Sequence, residues 1–223
     1  RSVRAEKILT VEDPVEYELP GVTQVPVHRQ AGMTMSSALR SILRQDPDVL
    51  MVGEMRDSET AELATQAAMT GHLVFTTLHT TDSVGSIPRL LDLGVPDFLL
   101  ASTLEGILAQ RLARRTCTEC QEEYLPPAQQ LAWLVGSPLH TRRFVRGVGC
   151  ARCRHTGYRG RVGLFELLVM SDELKHALAR SVRGPEFESL ARAQGMRTMR
   201  EDGWTKVQSG HTTVEEVLRV LGH

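Results

Sequence analysis

Three short apolar segments in the first eighty residues each end in polar side chains. The groups that follow them are Glu12-Asp13-Pro14 after residues 7–11, Gly53-Glu54 after residues 48–52, and His79-Thr80-Thr81 after residues 72–78. Parallel sheets bind ligands beyond the carboxyl ends of their strands, so three such ends can meet at one site. Carboxylates and an imidazole suit a hydrated Mg²⁺ ion and a water that attacks a phosphate. The pattern predicts a nucleotide hydrolase, although no glycine-rich phosphate loop precedes it.

The first group places two carboxylates directly after a strand. Glu12 and Asp13 point to opposite faces of the extended backbone, so only one of them can reach a given reactant. Pro14 cannot continue a central strand and ends the segment there. The structural alternative is a turn whose carboxylates cap the next segment. The two further polar strand ends favour the functional interpretation.

The second group has the layout of a Walker B element, an apolar strand that ends in an acid. Glu54 would bind Mg²⁺ directly or through water, and Gly53 lets the backbone and a ligand approach closely. A hydrophobic run followed by an acid is common in proteins. The specificity comes from the neighbouring strings LRQDPD and MRD.

The third group centres on His79, in a segment where residues 76–81 include four threonines. A histidine there can hydrogen-bond a γ-phosphate or orient a Mg²⁺-bound water. A lone histidine at a strand end is more often structural, but the neighbouring hydroxyls favour a functional role. His72 begins the same strand, at the opposite end of the sheet, and is expected to be structural.

The four cysteines form two C-x-x-C pairs, Cys117 with Cys120 and Cys150 with Cys153. The sequence shows neither a secretory signal nor a bilayer-spanning apolar stretch, so the pairs favour a Cys₄ zinc site over disulfides. Four thiolates leave no open coordination position, and the metal is expected to be structural. The alternatives are four small buried side chains, or a site in which His155 replaces one cysteine.

The composition is that of a globular protein, with 41% hydrophobic and 24% charged residues and a net charge of −1. Such a balance gives no overall attraction to nucleic acid or anionic membranes. Arginines nevertheless cluster in the second half of the chain, at Arg111, Arg114 and Arg115, at Arg142, Arg143 and Arg146, and at Arg152, Arg154, Arg159 and Arg161. Phosphate contact with nucleic acid is one interpretation. The alternatives are a solvated face and ion pairs with a partner subunit. The net charge near zero and the 4% aromatic content argue against nucleic acid, and we favour the subunit interface.

Strands and helices alternate up to residue 82, which predicts a parallel α/β sheet with residues 21–27 as an edge strand because of Pro26. Helices are predicted over residues 36–45, 58–70, 83–93 (kinked at Pro88) and 97–114, the longest. Residues 162–168 are predicted to form a strand, followed by helices. The last helix is predicted to begin with a capping box between Thr212 and Glu215.

Four strings of the sequence closely resemble the secretion and pilus-assembly ATPases, a superfamily that includes the type II secretion ATPase and the type IV pilus extension ATPase. They are ILTVEDPVEYELPGVTQVPV, LRSILRQDPDVLMVGEMRDSETAELATQAAMTGHLVFTTLHTTDS, ILAQRLARRTC and TGYRGRVGLFELL. The first resembles the family's Asp box, DPDVLMVGE its atypical Walker B element and TGHLVFTTLHTTD its His box. The cysteine pairs resemble a metal-binding insertion found in the secretion and extension branches and absent from retraction ATPases.

This resemblance implies roles for individual residues. Glu12 would be the general base that polarises the attacking water, and Asp13 would support the Mg-ATP site. Glu54 would hold Mg²⁺, and His79 would report the state of the γ-phosphate to a neighbouring subunit. The four cysteines would hold a structural Zn²⁺.

The resemblance also implies an α/β fold: part of a RecA-like P-loop NTPase core, in which a parallel sheet is flanked by helices. The predicted divisions are residues 1–115 for the core without its Walker A part, 116–160 for the tetracysteine zinc insertion, and 161–223 for a mainly helical subdomain. The working protein would be a cytoplasmic homohexamer, attached to the inner membrane through a platform protein and a recruitment protein, with no direct nucleic-acid partner. Its ATP hydrolysis would drive pilus or pseudopilus assembly.

In that family a GxxxxGK[ST] loop lies upstream of the Asp box, and this chain, which opens at Arg1 without a methionine, starts between the two. We therefore expect a C-terminal fragment that hydrolyses ATP negligibly when isolated. Two other functions stay open. One is a non-catalytic adaptor without a P-loop that docks on such a motor through its zinc module. The other is a metallohydrolase that uses Glu12, Glu54 and Asp57 without nucleotide.

Overall fold

A computed structural model describes residues 6–135 and 144–222 of the chain. These residues fall into two compact units. The first contains the chain up to Glu105 together with Met170–Leu190, and the second contains Gly106–Val169 and the chain from Ala191 onward. The division into three parts at residues 115 and 160 stays a prediction.

Strands and helices alternate through most of the described residues. The strands are β1 (Ile8–Glu12), β2 (Thr23–Pro26), β3 (Val49–Val52), β4 (Leu73–Thr76), β5 (Gly106–Thr116), β6 (Gln121–Tyr124), β7 (Phe144–Gly147) and β8 (Tyr158–Val169). The α-helices are α1 (Met35–Leu43), α2 (Ser58–Met69), α3 (Ser86–Asp92), α4 (Asp97–Thr103), α5 (Ala128–Val135), α6 (Asp172–Ala179), α7 (Gly184–Ala193), α8 (Met199–Gln208) and α9 (Val214–Leu221).

The first unit is built on a parallel sheet with the strand order β2-β1-β3-β4. Its two central strands bury Val11, Leu50 and Val52 completely, as expected for strands covered on both faces. Strand β2 lies at the edge of the sheet and ends at Pro26. The edge position predicted from this proline is therefore confirmed. The parallel α/β fold is thereby confirmed.

The helices of this unit begin where their capping residues lie. The Thr34 side chain and Ser37 form a reciprocal capping box at the start of α1. The Asp57 carboxylate accepts a hydrogen bond from the backbone N–H of Thr60 and so begins α2. Both caps satisfy backbone donors that have no partner inside the helix.

Three details of the predicted helices differ from the structure. Helix α3 begins only at Ser86, so Pro88 lies in its first turn, where its missing N–H costs nothing and no kink is needed. The helix predicted over 97–114 was wrong beyond Thr103, because the chain turns extended at Leu104 and enters strand β5. The cap of the last helix is Thr213 with the Glu216 N–H, one residue later than predicted.

The second unit is organised around the long antiparallel ribbon of β5 and β8, whose register runs from Gly106 opposite Val169 to Arg114 opposite Arg161. One face of the ribbon packs on α5, α8 and α9. That core contains Ala109, Ala113, Leu131, Leu134, Phe144, Leu164, Met199, Val207, Val214 and Val217. The opposite face exposes large apolar side chains, namely Leu108, Leu112, Phe165, Leu167 and Val169.

A buried carboxylate fastens α9 to this ribbon. The Glu216 side chain is fully buried and accepts hydrogen bonds from the backbone N–H and the guanidinium of Arg114 on β5. It also accepts two from Arg219, one turn later on the same helix. Thr212 donates its hydroxyl hydrogen to the Arg114 carbonyl, which secures the start of the helix.

Over residues 6–135 and 144–222, none of the helices combines the length and the apolar character that crossing a bilayer would take.

Candidate active site and metal centre

The three polar strand ends of the first unit lie side by side, because β1, β3 and β4 are neighbours in the sheet. The Gly53 N–H donates to the Val11 carbonyl at 2.8 Å, which extends the pairing of β1 and β3 by one residue. On the other side, the Thr77 hydroxyl donates to the Gly53 carbonyl at 2.5 Å. Gly53 therefore joins the ends of all three strands.

Gly53 is needed there because of how closely the strands approach. A Cβ atom at this position would lie 3.2 Å from the Val11 carbonyl oxygen and 3.3 Å from the Glu12 Cα. Those distances are tighter than ordinary carbon contacts, and the neighbouring backbone would have to give way. The glycine thus sets the distance between the backbones that carry Glu12 and Glu54.

Glu54 and His79 are in direct contact. The His79 Nε2 lies 3.2 Å from the Glu54 Oε2, and the Arg56 Nε lies 2.6 Å from the same oxygen. The Glu54 side chain is 16% exposed, whereas that of His79 is 82% exposed. The carboxylate is therefore held at the edge of the sheet between two groups that reach it from the solvent side.

Sequence reasoning did not identify Arg56 as a site residue. The available signal was its spacing, since a long cationic side chain two residues beyond a strand-end acid can turn back onto it.

Glu12 is buried at the end of β1 with one oxygen engaged. Its Oε1 accepts from the Thr10 hydroxyl at 2.5 Å and from the Gln24 Nε2 at 2.9 Å. Thr10 lies two residues earlier on the same face of the strand. Among the described residues no donor reaches the other oxygen, Oε2. The Glu12 Oε2 can therefore accept a hydrogen bond from a water or a ligand, while the other oxygen keeps the carboxylate in position.

Asp13 has a different partner from Glu12, as expected for adjacent residues that point to opposite faces. Its Oδ2 accepts from the Nε of Arg29 at 3.0 Å and from the Nη2 at 2.7 Å. The peptide bond that follows it, to Pro14, is cis. Asp13 thereby anchors the short 3₁₀ turn Arg29–Ala31 to the end of β1.

Asp57 and His72 have structural partners. Both Asp57 oxygens are engaged by Thr60, one by its N–H and the other by its hydroxyl. Asp57 is therefore a helix cap, and this favours the nucleotide site over a metal site that includes it. The His72 Nδ1 lies 2.9 Å from the Ala67 carbonyl and 3.0 Å from the Thr70 hydroxyl, in agreement with a structural role.

The four cysteines of the second unit converge on one point. Their sulfur atoms all lie within 4.8 Å of one another, and three of the separations are 3.9, 3.9 and 3.8 Å. A disulfide requires about 2 Å, so the thiols are free. Four sulfurs about 2.3 Å from a central zinc lie about 3.8 Å apart in a tetrahedron. The spacing of Cys117, Cys120, Cys150 and Cys153 therefore fits a zinc ion.

The backbone around Cys153 favours its thiolate. Burial acts to raise the pKa of the Cys153 thiol, but hydrogen bonds from the N–H groups of Cys150 and Gly157 outweigh it and lower that pKa to about 6. For Cys120 burial dominates and raises the pKa to about 12. His155 lies outside the sulfur cluster.

The segment that holds Cys150 and Cys153 closes on itself through the two glycines that flank it, Gly147 and Gly157. A Cβ on Gly147 would fall 2.0 Å from the Gly157 carbonyl oxygen, which no side chain tolerates. Between the two cysteine pairs the described chain forms helix α5 and the antiparallel strand pair of β6 and β7. This part of the chain packs on the second unit's core, where the Phe144 and Trp204 ring centroids lie 5.4 Å apart with the rings tilted by 56°.

Several arginines of the predicted clusters pair within the chain. Arg114 binds Glu216 and lies over the Tyr158 ring at 4.2 Å, and Arg146 binds Glu122 at 2.7 Å. Arg142 and Arg143 lie outside the described residues. Part of this basic surface is therefore neutralised internally.

Comparison with known proteins agrees with these features. Residues 2–219 match the family model described as "Type II/IV secretion system protein". The sequence is 51% identical over 213 residues to the type II secretion system protein HxcR of Pseudomonas aeruginosa, covering 96% of this chain and 42% of that protein. It is 50% identical over 211 residues to the type IV pilus assembly ATPase PilB of Thermus thermophilus, covering 94% of this chain and 24% of that protein.

Solved structures show the same fold. The pilus retraction motor PilT with bound ADP superposes with a TM-score of 0.68 at 29% identity, covering 96% of this chain and 52% of PilT. The similarity extends over almost all of this chain, which spans about half of PilT and less than half of the curated relatives that it matches.

Proposed function

This chain belongs to the type II/IV secretion system protein family, and from that premise we propose that it forms the C-terminal part of a motor ATPase that drives secretion or pilus assembly. HxcR is named as a secretion protein and PilB as a pilus assembly ATPase. The identity of about one half over nearly the whole chain supports the same class of activity here.

The observation that carries the proposal is the convergence of Glu12, Glu54 and His79 at one edge of the parallel sheet. Glu12 has one free oxygen beside an oxygen fixed by two hydrogen bonds, which is what a general base needs to hold and deprotonate a water. Asp13, tied to Arg29, supports the loop that follows Glu12.

We propose that Glu54 holds Mg²⁺, directly or through water. We propose that His79 senses the γ-phosphate. Mg-ATP would supply the electrophilic phosphorus and the charge that positions the attacking water. Residues 1–223 contain no GxxxxGK[ST] sequence to cradle the phosphates. The active site is therefore proposed to be complete only in a longer polypeptide, and the isolated chain to be nearly inactive.

The working assembly is proposed to be a cytoplasmic homohexamer that acts at the inner membrane through a platform protein and a recruitment protein. The exposed apolar face of the β5–β8 ribbon supports function within a larger assembly, since faces of this kind usually contact other protein. The four-cysteine cluster favours the secretion and extension branches over the retraction branch.

The test compares ATP hydrolysis by the longer polypeptide with Glu12, with Glu12→Gln and with Glu62→Gln, an exposed carboxylate on α2. Removing the base should lower kcat by about 100-fold or more, with little change in nucleotide affinity. Glu62→Gln should match the unchanged protein. Full activity in Glu12→Gln would contradict the proposed base. A longer polypeptide without ATPase activity would favour the adaptor.

A further inference from the structure

Gln24 lies on the edge strand β2, and its side chain reaches the end of the neighbouring strand β1. It stands directly opposite Thr10 in the parallel register of the two strands. Thr10 and Glu12 lie on the same face of β1, two residues apart. The Gln24 Nε2 lies 2.9 Å from the Glu12 Oε1. A side chain from outside the three polar strand ends therefore contacts the carboxylate that ends β1.

The Gln24 amide is itself held by the loop that precedes β2. The nitrogen that contacts Glu12 also donates to the Tyr17 carbonyl at 2.9 Å, and the Oε1 accepts from the Leu19 N–H at 2.7 Å. These two backbone contacts define which end of the amide is the nitrogen, because a carbonyl needs a donor and an N–H needs an acceptor. Three hydrogen bonds therefore hold the amide in one orientation, with an N–H directed at Glu12.

A tight turn gives this loop a defined backbone. The Leu19 carbonyl accepts from the Val22 N–H at 3.2 Å, and Gly21 between them has a φ of +83°. Pro20 precedes Gly21, and proline followed by a glycine with positive φ is the pattern of a type II turn. The Leu19 N–H that fixes the Gln24 amide is therefore presented by the first residue of a β-turn.

The hydrogen bonds that the described residues donate to the Glu12 carboxylate converge on one oxygen. Oε1 accepts from the Thr10 hydroxyl at 2.5 Å and from the Gln24 Nε2 at 2.9 Å. A carboxylate oxygen has two lone-pair positions, so these two donors occupy Oε1. A water that transfers its proton to Glu12 must then approach Oε2, whose direction is determined by the fixed Oε1.

We propose that Gln24 is a positioning residue for the general base: its amide holds the Glu12 Oε1 and thereby directs Oε2 towards the attacking water. This role rests on the proposed ATPase function, in which Glu12 is that base. Gln24 acts through Glu12 and not on the reacting atoms. Placement of this kind matters for rate, since a misplacement of about 1 Å can cost about 100-fold. Two donors are needed because a single hydrogen bond leaves the carboxylate free to turn.

The first test measures ATP hydrolysis by the longer polypeptide with Gln24→Met, which keeps the length of the side chain and removes its hydrogen bonds. We expect kcat to fall about tenfold and KM for ATP to change by less than about twofold, because the base is misdirected while the nucleotide contacts stay. Gln66→Met is the matched control, since the exposed Gln66 on α2 donates to Glu62 at 3.1 Å in a similar pair. That variant should hydrolyse ATP normally.

A double variant separates positioning from a general loss of structure. If Gln24 acts through Glu12, Gln24→Met should not lower the residual activity of Glu12→Gln any further, because the base has already been removed. A structural defect would lower the activity of both proteins by the same factor. Equal losses in the two backgrounds, or full activity in Gln24→Met, would overturn the proposal.

Thr10 provides an independent test of the other donor to Oε1. Thr10 is buried, and Thr10→Val keeps its shape while removing the hydroxyl, so kcat should again fall about tenfold. Thr10→Ser keeps the hydroxyl and should recover most of the activity. Urea denaturation of each variant of the 223-residue chain shows whether it folds. A folded Thr10→Val as active as Thr10→Ser would contradict the role given to Oε1, and the proposal with it.

The same measurements distinguish this proposal from the proposed ATPase site. Full activity in Glu12→Gln, or a longer polypeptide without ATPase activity, would remove the general base itself and the role of Gln24 with it. An inactive Glu12→Gln beside a fully active Gln24→Met would keep the base and overturn only the positioning role.

Discussion

The His79 Nε2 lies 3.2 Å from the Glu54 Oε2, although 25 residues separate the two along the chain. The contact exists because β3 and β4 are parallel neighbours and end at the same edge of the sheet. The Arg56 Nε lies 2.6 Å from the same oxygen. His79 is mostly exposed at 82%, whereas Glu54 is only 16% exposed and is held by both contacts.

His79→Ala should lower ATP hydrolysis by the longer polypeptide about tenfold or more while changing the free energy of unfolding by less than about 0.5 kcal/mol, because an exposed contact contributes little to stability. His176→Ala, an exposed histidine on α6, is the matched control and should hydrolyse ATP normally. Steady-state kinetics and urea denaturation measure the two effects. If His79→Ala lowered the free energy of unfolding enough to account for the whole loss of ATP hydrolysis, His79 would be structural.

Gly53→Ala should impair the site through its backbone. The added Cβ would lie 3.2 Å from the Val11 carbonyl oxygen and 3.3 Å from the Glu12 Cα, so β1 and β3 must separate slightly. We expect a loss of about 1–3 kcal/mol in the free energy of unfolding, typical of overpacking, and a clear fall in kcat. Chemical denaturation and ATPase assays check this. A variant with unchanged kcat would show that the spacing of Glu12 and Glu54 is not critical.

The purified chain should contain one zinc ion, bound by the four cysteines. Cys117→Ser with Cys150→Ser should abolish stoichiometric zinc and lower the melting temperature, because metal binding and folding are coupled. A chelator should have the same effect on the unchanged chain. His155→Asn, which keeps a residue tolerant of the local φ of +61°, should retain zinc. Zinc analysis of the three proteins would show whether the cysteines are ligands or ordinary core residues.

The sheet was predictable from sequence, because each short apolar segment followed by polar residues indicates a buried strand, and the folded sheet contains those strands. Because β3 and β4 are neighbouring parallel strands, the residues that follow them, Glu54 and His79, lie close together, as the sequence predicted. The pairing of Glu54 with Arg56 was not predictable, since a flexible arginine has many rotamers and only the folded site selects one.

The helix predicted through residue 114 shows where local preference fails. The string ILAQRLARR contains good helix formers, yet residues 106–116 form β5. Pairing with β8 and burial of Ala109 and Ala113 against the unit's core outweigh that preference. The strand partner lies some fifty residues later, and so a local pattern could not reveal it.

The buried carboxylate of Glu216 should make the stability of the second unit sensitive to acid. Burial acts to raise the pKa of Glu216, but hydrogen bonds from Arg219 and Arg114 outweigh it and hold the pKa at about 2, below the ordinary value of 4.5. A carboxyl whose pKa is lower in the folded state stabilises the fold above its unfolded pKa. That contribution is lost as the pH falls from about 4.5 towards 2.

Glu216→Gln should therefore lower the free energy of unfolding at pH 7 by about 2–4 kcal/mol, because it leaves two guanidiniums beside a neutral amide. The difference from the unchanged chain should be constant above about pH 5.5 and shrink below about pH 4.5. Urea denaturation across this range, with zinc content followed at each pH, measures the difference. Glu62→Gln is the control. A difference between Glu216→Gln and the unchanged chain that stays constant down to pH 3 would contradict the role given to the Arg114 and Arg219 contacts, because the carboxylate would then have no lowered pKa to lose.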